Sequence, residues 1–329
     1  MIFKHGKFLK FIIPLTLSAA LLVSGCSSGQ NDTPGKTDVA QQTTGSKSSE
    51  TAQQPNDGQK AAEEAQKKAL DGYNSLVANN PTPQQLMKYL AGNLQAVEPE
   101  EASTMLLKLE GIQKKSLEAL ENKFNDENIQ KKLGSIWKSN IDINTAISTT
   151  DADLKALLEE TRDGGYKVET AEGTYFPIMD YGVYRGFSQF VTVDIKEYID
   201  LMAVESDKGP AKDAALVISW DEVLTRAVNQ ERFLADYPES KRLERVKELY
   251  SKYLAFAFLG LDNTPAFNRD NKMMVSGLKE AYGNFLSSNT DQRLGQRFRN
   301  YVELLEKNKY KLTREVEDYR KTAMEAELG

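Results

Sequence analysis

Most nucleophilic and metal chemistry in proteins rests on histidine, cysteine and paired acids, and this chain has one histidine, His5, one cysteine, Cys26, and 48 acidic residues. A Ser-His-Asp or Cys-His relay needs an imidazole beside its nucleophile, and zinc sites draw on several His or Cys ligands. No GxxxxGK[ST] or GxGxxG segment offers a phosphate-cradling loop. The stretch from Asp262 to Asp270 has acids at the wrong spacing for an EF-hand and lacks its central glycine. What remains is carboxylate chemistry: two carboxyl groups can cleave a glycosidic bond when burial lets one of them act as an acid. The residues imply no cofactor and no metal.

Two segments stand out against that background. Met202-Ala203-Val204-Glu205-Ser206 resembles the Glu-Ser opening of lysozyme-like lytic transglycosylases, which would make Glu205 a catalytic acid. The downstream Gly-Leu-Met-Gln type of motif is missing, so a surface or helix-end charge is the competing reading of Glu205. The second segment holds seven aromatic residues between Tyr166 and Phe190. Tyrosine joins apolar area to a polar tip and suits binding surfaces. Tyr175, Phe176, Tyr181, Tyr184 and the adjacent Arg185 are therefore candidates for a groove that binds peptide, glycan or a partner helix. The alternative is that these rings pack a hairpin onto the helices.

The N-terminus carries an address. Lys4, Lys7 and Lys10 form a basic start without an acid, and Phe11 to Val23 follows as an uncharged, mainly apolar run. That run is shorter than the ~20 residues a bilayer-spanning helix needs and suits a signal-peptide core. It ends in Leu22-Val23-Ser24-Gly25-Cys26, which resembles the lipobox of bacterial lipoproteins. The resemblance covers residues 1–26. It implies cleavage before Cys26, a diacylglycerol on its thiol and an extracytoplasmic position on a cell membrane. Two acyl chains are what stable anchoring requires. The processed chain would then hold no imidazole and no free thiol, which excludes His- and Cys-dependent catalysis, His- or thiolate-ligated metal and thiol redox chemistry. Losing three lysines and no acid takes 42 basic residues to 39 against 48 acidic, a net charge of −9. Such a chain is not steered toward phosphates, so nucleic acid is not an expected partner.

From Ser27 to Gly58 the chain is dominated by Ser, Thr, Gln, Gly, Asn, Asp and Lys, with one large aliphatic residue, Val39, and no aromatic residue. This composition predicts a disordered tether with a reach of about 30 Å. Residues 59–329 read as helical almost throughout, with an N-terminal region 59–149 and a C-terminal region 150–329. The spacing predicts helices over 61–76, 82–94, 98–124, 129–137 and 150–163. Thr82-Pro83-Gln84-Gln85 and Ser219-Trp220-Asp221-Glu222 match capping boxes, and Thr150 or Asp151 can cap a further helix that Gly164-Gly165 stops. A short hairpin is expected at 166–178, turning at Ala171-Glu172-Gly173, with Pro177 on an edge. Helical spacing returns through 181–190, 195–202, 219–233, 243–254, 278–285 and 294–319, interrupted near Asn308. Gly209-Pro210 reads as a break and Asn263 to Asn271 as a loop. Tyr237-Pro238-Glu239-Ser240 resembles the Tyr-Pro-x-Ser turn of tetratricopeptide-like lipoproteins. It occurs once, without the repeat of about 34 residues, and reads as a helix boundary.

The expected fold is thus all-α, with several helices, one small hairpin and a tether ahead of them. The expected function is a lipid-anchored, non-enzymatic binding or scaffold protein for an envelope protein or a wall polymer. Glycan cleavage by carboxylates is the alternative. A small-solute receptor is a third, disfavoured because such lipoproteins alternate strands and helices and this chain does not.

Overall fold

Helix starts fall where the capping residues put them. Thr82 accepts the Gln85 N–H while the Gln85 side chain accepts the Thr82 N–H at 2.9 Å, a reciprocal box opening the helix Pro83–Asn93. Asp151 accepts the Leu154 N–H at 2.9 Å and opens Ala152–Asp163. Ser219 accepts the Glu222 N–H at 3.1 Å ahead of Trp220–Asp236, but the second half of that box is not made. The Glu222 carboxylate bonds Arg226 one turn further on instead.

The computed structural model describes residues 57–136, 143–289 and 293–328. His5, Cys26, the tether up to residue 56 and Trp137 lie outside the described residues. The folded residues belong to one unit, Gln54–Gly329. Its helices are α1 (Asp57–Ala78), α2 (Pro83–Asn93), α3 (Pro99–Phe124), α4 (Glu127–Ile136), the single turn α5 (Ile143–Ala146) and α6 (Ala152–Asp163). After a hairpin come α7 (Val193–Asp207), α8 (Trp220–Asp236), α9 (Leu243–Leu259), α10 (Ser276–Ser288), α11 (Arg293–Lys307) and α12 (Arg314–Leu328). Among the described residues every element longer than six residues is a helix, so the all-α reading holds. No described helix is long and apolar enough to cross a membrane.

The hairpin is where the alternation predicted it. Strand β1 (Tyr166–Ala171) pairs antiparallel with β2 (Thr174–Met179), closing at Ala171 and Thr174. Glu172 and Gly173 both have positive φ, at 50° and 76°, the requirement of the tight turn that matches strand twist. Pro177 sits in β2 without cost because a two-stranded sheet has only edges. The Gln130 amide of α4 stands in for a third strand: its Nε2 donates to the Tyr175 carbonyl at 2.7 Å and its Oε1 accepts the Tyr175 N–H at 3.0 Å.

Three details depart from the pattern reading. Residues 181–190 are not an α-helix but a 3-10 stretch, Val183–Phe187, with flanking turns. Gly182 and Gly186 weaken helix propensity there, and Asp180 takes the Gly182 N–H in a side-chain turn at 2.9 Å. The break at Gly209-Pro210 leads into a second hairpin, β3 (Ala211–Lys212) with β4 (Ala215–Leu216), and the 263–271 loop begins inside a third, β5 (Gly260–Leu261) with β6 (Thr264–Pro265). Two-residue strands are too short for alternation to register. Asn263 fastens the second and third hairpins together, donating from its backbone to Ala214 and from its side chain to Asp213 at 2.9 and 2.6 Å.

Buried aromatic rings fill the C-terminal part of the core. Phe258, Tyr282, Phe298 and Tyr301 meet at centroid separations from 4.9 to 5.9 Å. Edge and offset contacts of this kind add to the area they bury.

Candidate functional site

Two polar clusters lie inside this helical frame. The first is built on α3. Leu106 and Leu109 face the core, and the residues one turn on, Glu110 and Gln113, follow them in, at 1% and 0% exposure. Tyr181 and Tyr198 donate to Glu110 Oε1 at 2.5 and 2.6 Å, Lys114 donates to the same oxygen at 2.7 Å, and Arg242 donates to Oε2. Burial alone would push the Glu110 carboxyl up, but the bonds from Lys114, Tyr181 and Tyr198 and the Arg242 charge outweigh it and hold the carboxyl below the usual range. Burial, reinforced by neighbouring charge, pushes the Tyr181, Tyr184 and Tyr198 phenols well up, so they serve as donors.

Gln113 completes the cluster. Its Oε1 accepts from Tyr184, its Nε2 donates to the Gly164 carbonyl at 2.7 Å, and its own carbonyl accepts from Tyr166 at 2.8 Å. These bonds tie α3 to the end of α6 and to the hairpin. Gly165 fits against them with φ of 76°, and a Cβ there would lie 2.3 Å from Gln113 Nε2. Gln113 is fully buried and has no room to retreat. Gly165→Ala is therefore expected to lower stability by at least the ~1–3 kcal/mol of left-handed strain, read as a lower urea midpoint. An unchanged midpoint would mean that the α6–hairpin junction is loose.

The aromatic candidates are placed by this cluster. Tyr181 and Tyr184 are 5% and 2% exposed, so no partner can touch either ring while the core is closed. They pack the hairpin and the 3-10 stretch onto α3, the packing role weighed against a groove. Tyr175 and Phe176 are half-buried on β2. Arg185 is exposed and pairs with Asp207 at 3.1 Å and Asp200 at 3.5 Å, contacts that contribute little on a solvated surface. The five residues do not form one open surface.

The second cluster lies between α7 and α8. Glu205, the acid weighed for glycan cleavage, gives its Oε1 to Arg226 Nη1 at 3.0 Å and to the Tyr253 hydroxyl of α9. Arg226 is buried, and it also donates to the Lys208 carbonyl at 2.9 Å and to Glu222. Burial alone would lower the Arg226 guanidinium, but Glu222, Tyr253 and Glu205 raise it. Beside this group a cleft of ≈ 130 Å³ opens between the two helices. Leu201 and Val204 give it an apolar wall, Glu197, Asp200 and Arg232 stand at its sides, and Arg226 and Gln230 line it from α8. Gln230 is 1% exposed, yet its Oε1 has no hydrogen-bond partner, and the Arg226 Nε–H has none either. Among the described residues no group of acids is arranged to hold a metal ion.

Glu110, Gln113 and Gln230 were each legible as polar residues on an apolar helix face. Glu110 follows Leu106 by four positions, and Gln230 follows Val223 by seven and Ala227 by three.

No protein-family model matches this chain, and no match is found among curated proteins or solved structures.

Proposed function

We propose that this chain is a lipid-anchored, extracytoplasmic protein whose helical unit binds an envelope component and carries out no catalysis of its own. The observation that carries the reading is the run Leu22-Val23-Ser24-Gly25-Cys26 behind a basic start and an apolar core, with Cys26 the only thiol in the chain. The lipid is a diacylglycerol on Cys26, the tether lifts the helical unit off the headgroups, and nucleic acid is not a partner. The use made of the buried acids supports binding over chemistry. Glu110 receives four donors and Glu205 receives two on one oxygen, so both carboxyls tie helices together.

Two measurements test it. Cys26→Ala should abolish incorporation of labelled fatty acid and either release the protein or leave it unprocessed. Cleavage with normal membrane retention would refute lipid anchoring. Crosslinking on intact cells, with mass spectrometry of the captured species, should return one dominant envelope protein or wall polymer. Clearing on a peptidoglycan zymogram that disappears in Glu205→Gln would refute the non-enzymatic part and install the glycan-cleaving alternative.

A further inference from the structure

We infer that the lysine face around Met273 is a docking surface for anionic lipid headgroups, on which the folded unit lies down against the membrane that holds its anchor. The inference rests on the lipid-anchored reading and adds a second membrane contact to it.

Two surface segments build this face: 271–279, which leads into α10, and 307–314, which joins α11 to α12. Met273 and Lys311 form an antiparallel bridge, the Leu312 N–H donates to the Lys272 carbonyl at 2.8 Å, and the Met274 N–H donates to the Tyr310 carbonyl at 2.9 Å. Together the two segments hold six cations and no acid. Glu315 and Asp318 pair with Lys307 and Arg314, and Lys279 lies over the Tyr310 ring, 3.7 Å from its centroid. Among the described residues no carboxylate pairs with Lys272, Lys309 or Lys311, and all three are exposed. Asp270, Glu280 and Glu306 stand at the ends of the segments, where Glu306 accepts from the Tyr310 hydroxyl at 3.3 Å. Met273 sits among the lysines, 38% exposed.

The backbone makes these lysines unusual. Lys272 and Lys309 have φ of 61° and 52°. Glycine or asparagine occupies that left-handed region at least cost. The turn geometry therefore does not account for lysine at either position, and the charge it adds to this face does. The chain as a whole is acidic, but charges more than about 8 Å away are screened at physiological salt, so a nearby surface responds to the face and not to the sum. Mobile lysines around one exposed thioether suit a fluid array of headgroups, which can move to meet them. Fixed protein interfaces are depleted in lysine. The tether lets the unit stand off the headgroups and also keeps them within about 30 Å, an effective concentration at which a weak patch can act.

The test uses the full lipidated chain on vesicles of phosphatidylcholine, with and without phosphatidylglycerol. Ser276 is exposed on the first segment, and Ser276→Cys carries an environment-sensitive dye there, Cys26 being occupied by the lipid. The emission should shift to the blue and resist acrylamide quenching on the phosphatidylglycerol vesicles only, and high salt should abolish the difference. Lys272→Asn combined with Lys309→Asn should lower the ratio of docked to free units about thirtyfold, the ~2 kcal/mol that two surface lysines supply. Its Tm should hold or rise, because asparagine tolerates the left-handed backbone better than lysine. Lys272→Arg combined with Lys309→Arg should dock like the parent. The same dye response on both vesicle types, or in the asparagine variant and the parent, would overturn the inference. So would a response to inorganic polyphosphate in solution that neither vesicle gives, which would assign the face to a soluble anionic polymer. The two readings fail separately: a chain that sediments with neutral vesicles and shows no shift on anionic ones loses only the docking face, and a chain that sediments with anionic vesicles alone, through these lysines, loses only the anchor.

Discussion

Glu110→Gln is expected to destabilise the folded unit by about 3–5 kcal/mol, a fall of roughly 10 °C in Tm. The substitution changes volume little, so the effect is electrostatic. Tyr181 and Tyr198 can still donate to an amide oxygen. The amide nitrogen then takes the place of Oε2 and faces Arg242, which is a donor only, so Arg242 loses the carboxylate that offsets its partial burial, at 22% side-chain exposure, and Lys114 keeps an acceptor but loses its countercharge. Urea unfolding of the two proteins checks the size. A change under about 1 kcal/mol, the range of a surface pair, would mean that the cluster is solvated.

The same residue sets an acid limit, and the sign follows from the direction of its shift. The Glu110 carboxyl is depressed in the fold, whereas in an unfolded chain a glutamate titrates near 4.3. Its contribution is therefore complete above that unfolded value and is lost as the pH falls through the lower, folded value. Stability of the parent should drop as the solution is acidified below about pH 4.3, and the Glu110→Gln variant, already without that contribution, should drop less steeply over the same window.

The difference between what was legible and what was not is one of range. Thr82, Asp151 and the Ala171-Glu172-Gly173 turn act within a few residues, through bonds their side chains or backbone angles make locally, and each did as its pattern predicts. Residues 181–190 carry helical spacing, but two glycines and the Asp180 turn lower the helix's advantage, and the rings satisfy α3 from a 3-10 stretch equally well. The Glu222 half of the capping box failed for a related reason: a buried guanidinium one turn away is a stronger claimant on a carboxylate than a backbone N–H at a helix start. The long-range partners of Glu110 lie 71 to 132 positions away, Tyr181 at the near end and Arg242 at the far one. A single sequence marks one member of such a set, a polar residue on an apolar stripe, and leaves its partner unspecified.

Arg226→Met provides the second large effect. It is expected to cost about 3–5 kcal/mol, because it leaves Glu205, at 11% side-chain exposure, without its cation and the Lys208 carbonyl without a donor. Glu222 suffers less: it is 33% exposed and keeps Lys208 at 3.5 Å. Replacing both members of the inner pair, Arg226→Met with Glu205→Met, should recover much of the loss, since apolar groups of similar volume do not demand partners. A double-mutant cycle by urea unfolding measures that coupling, and additive losses would refute it. The contrast with Gln230 then becomes informative. Arg226 and Gln230 lie one helical turn apart on the same side of the cleft, and both are buried. Three of the hydrogen bonds at Arg226 tie α8 to α7, to the residue that follows α7 and to α9, so its loss must destabilise. The Gln230 oxygen holds nothing, so its replacement by leucine should be neutral or stabilising. Opposite signs at these two positions would show that the Gln230 oxygen contributes nothing to the fold that Arg226 builds, whereas losses of equal size would make both part of the core.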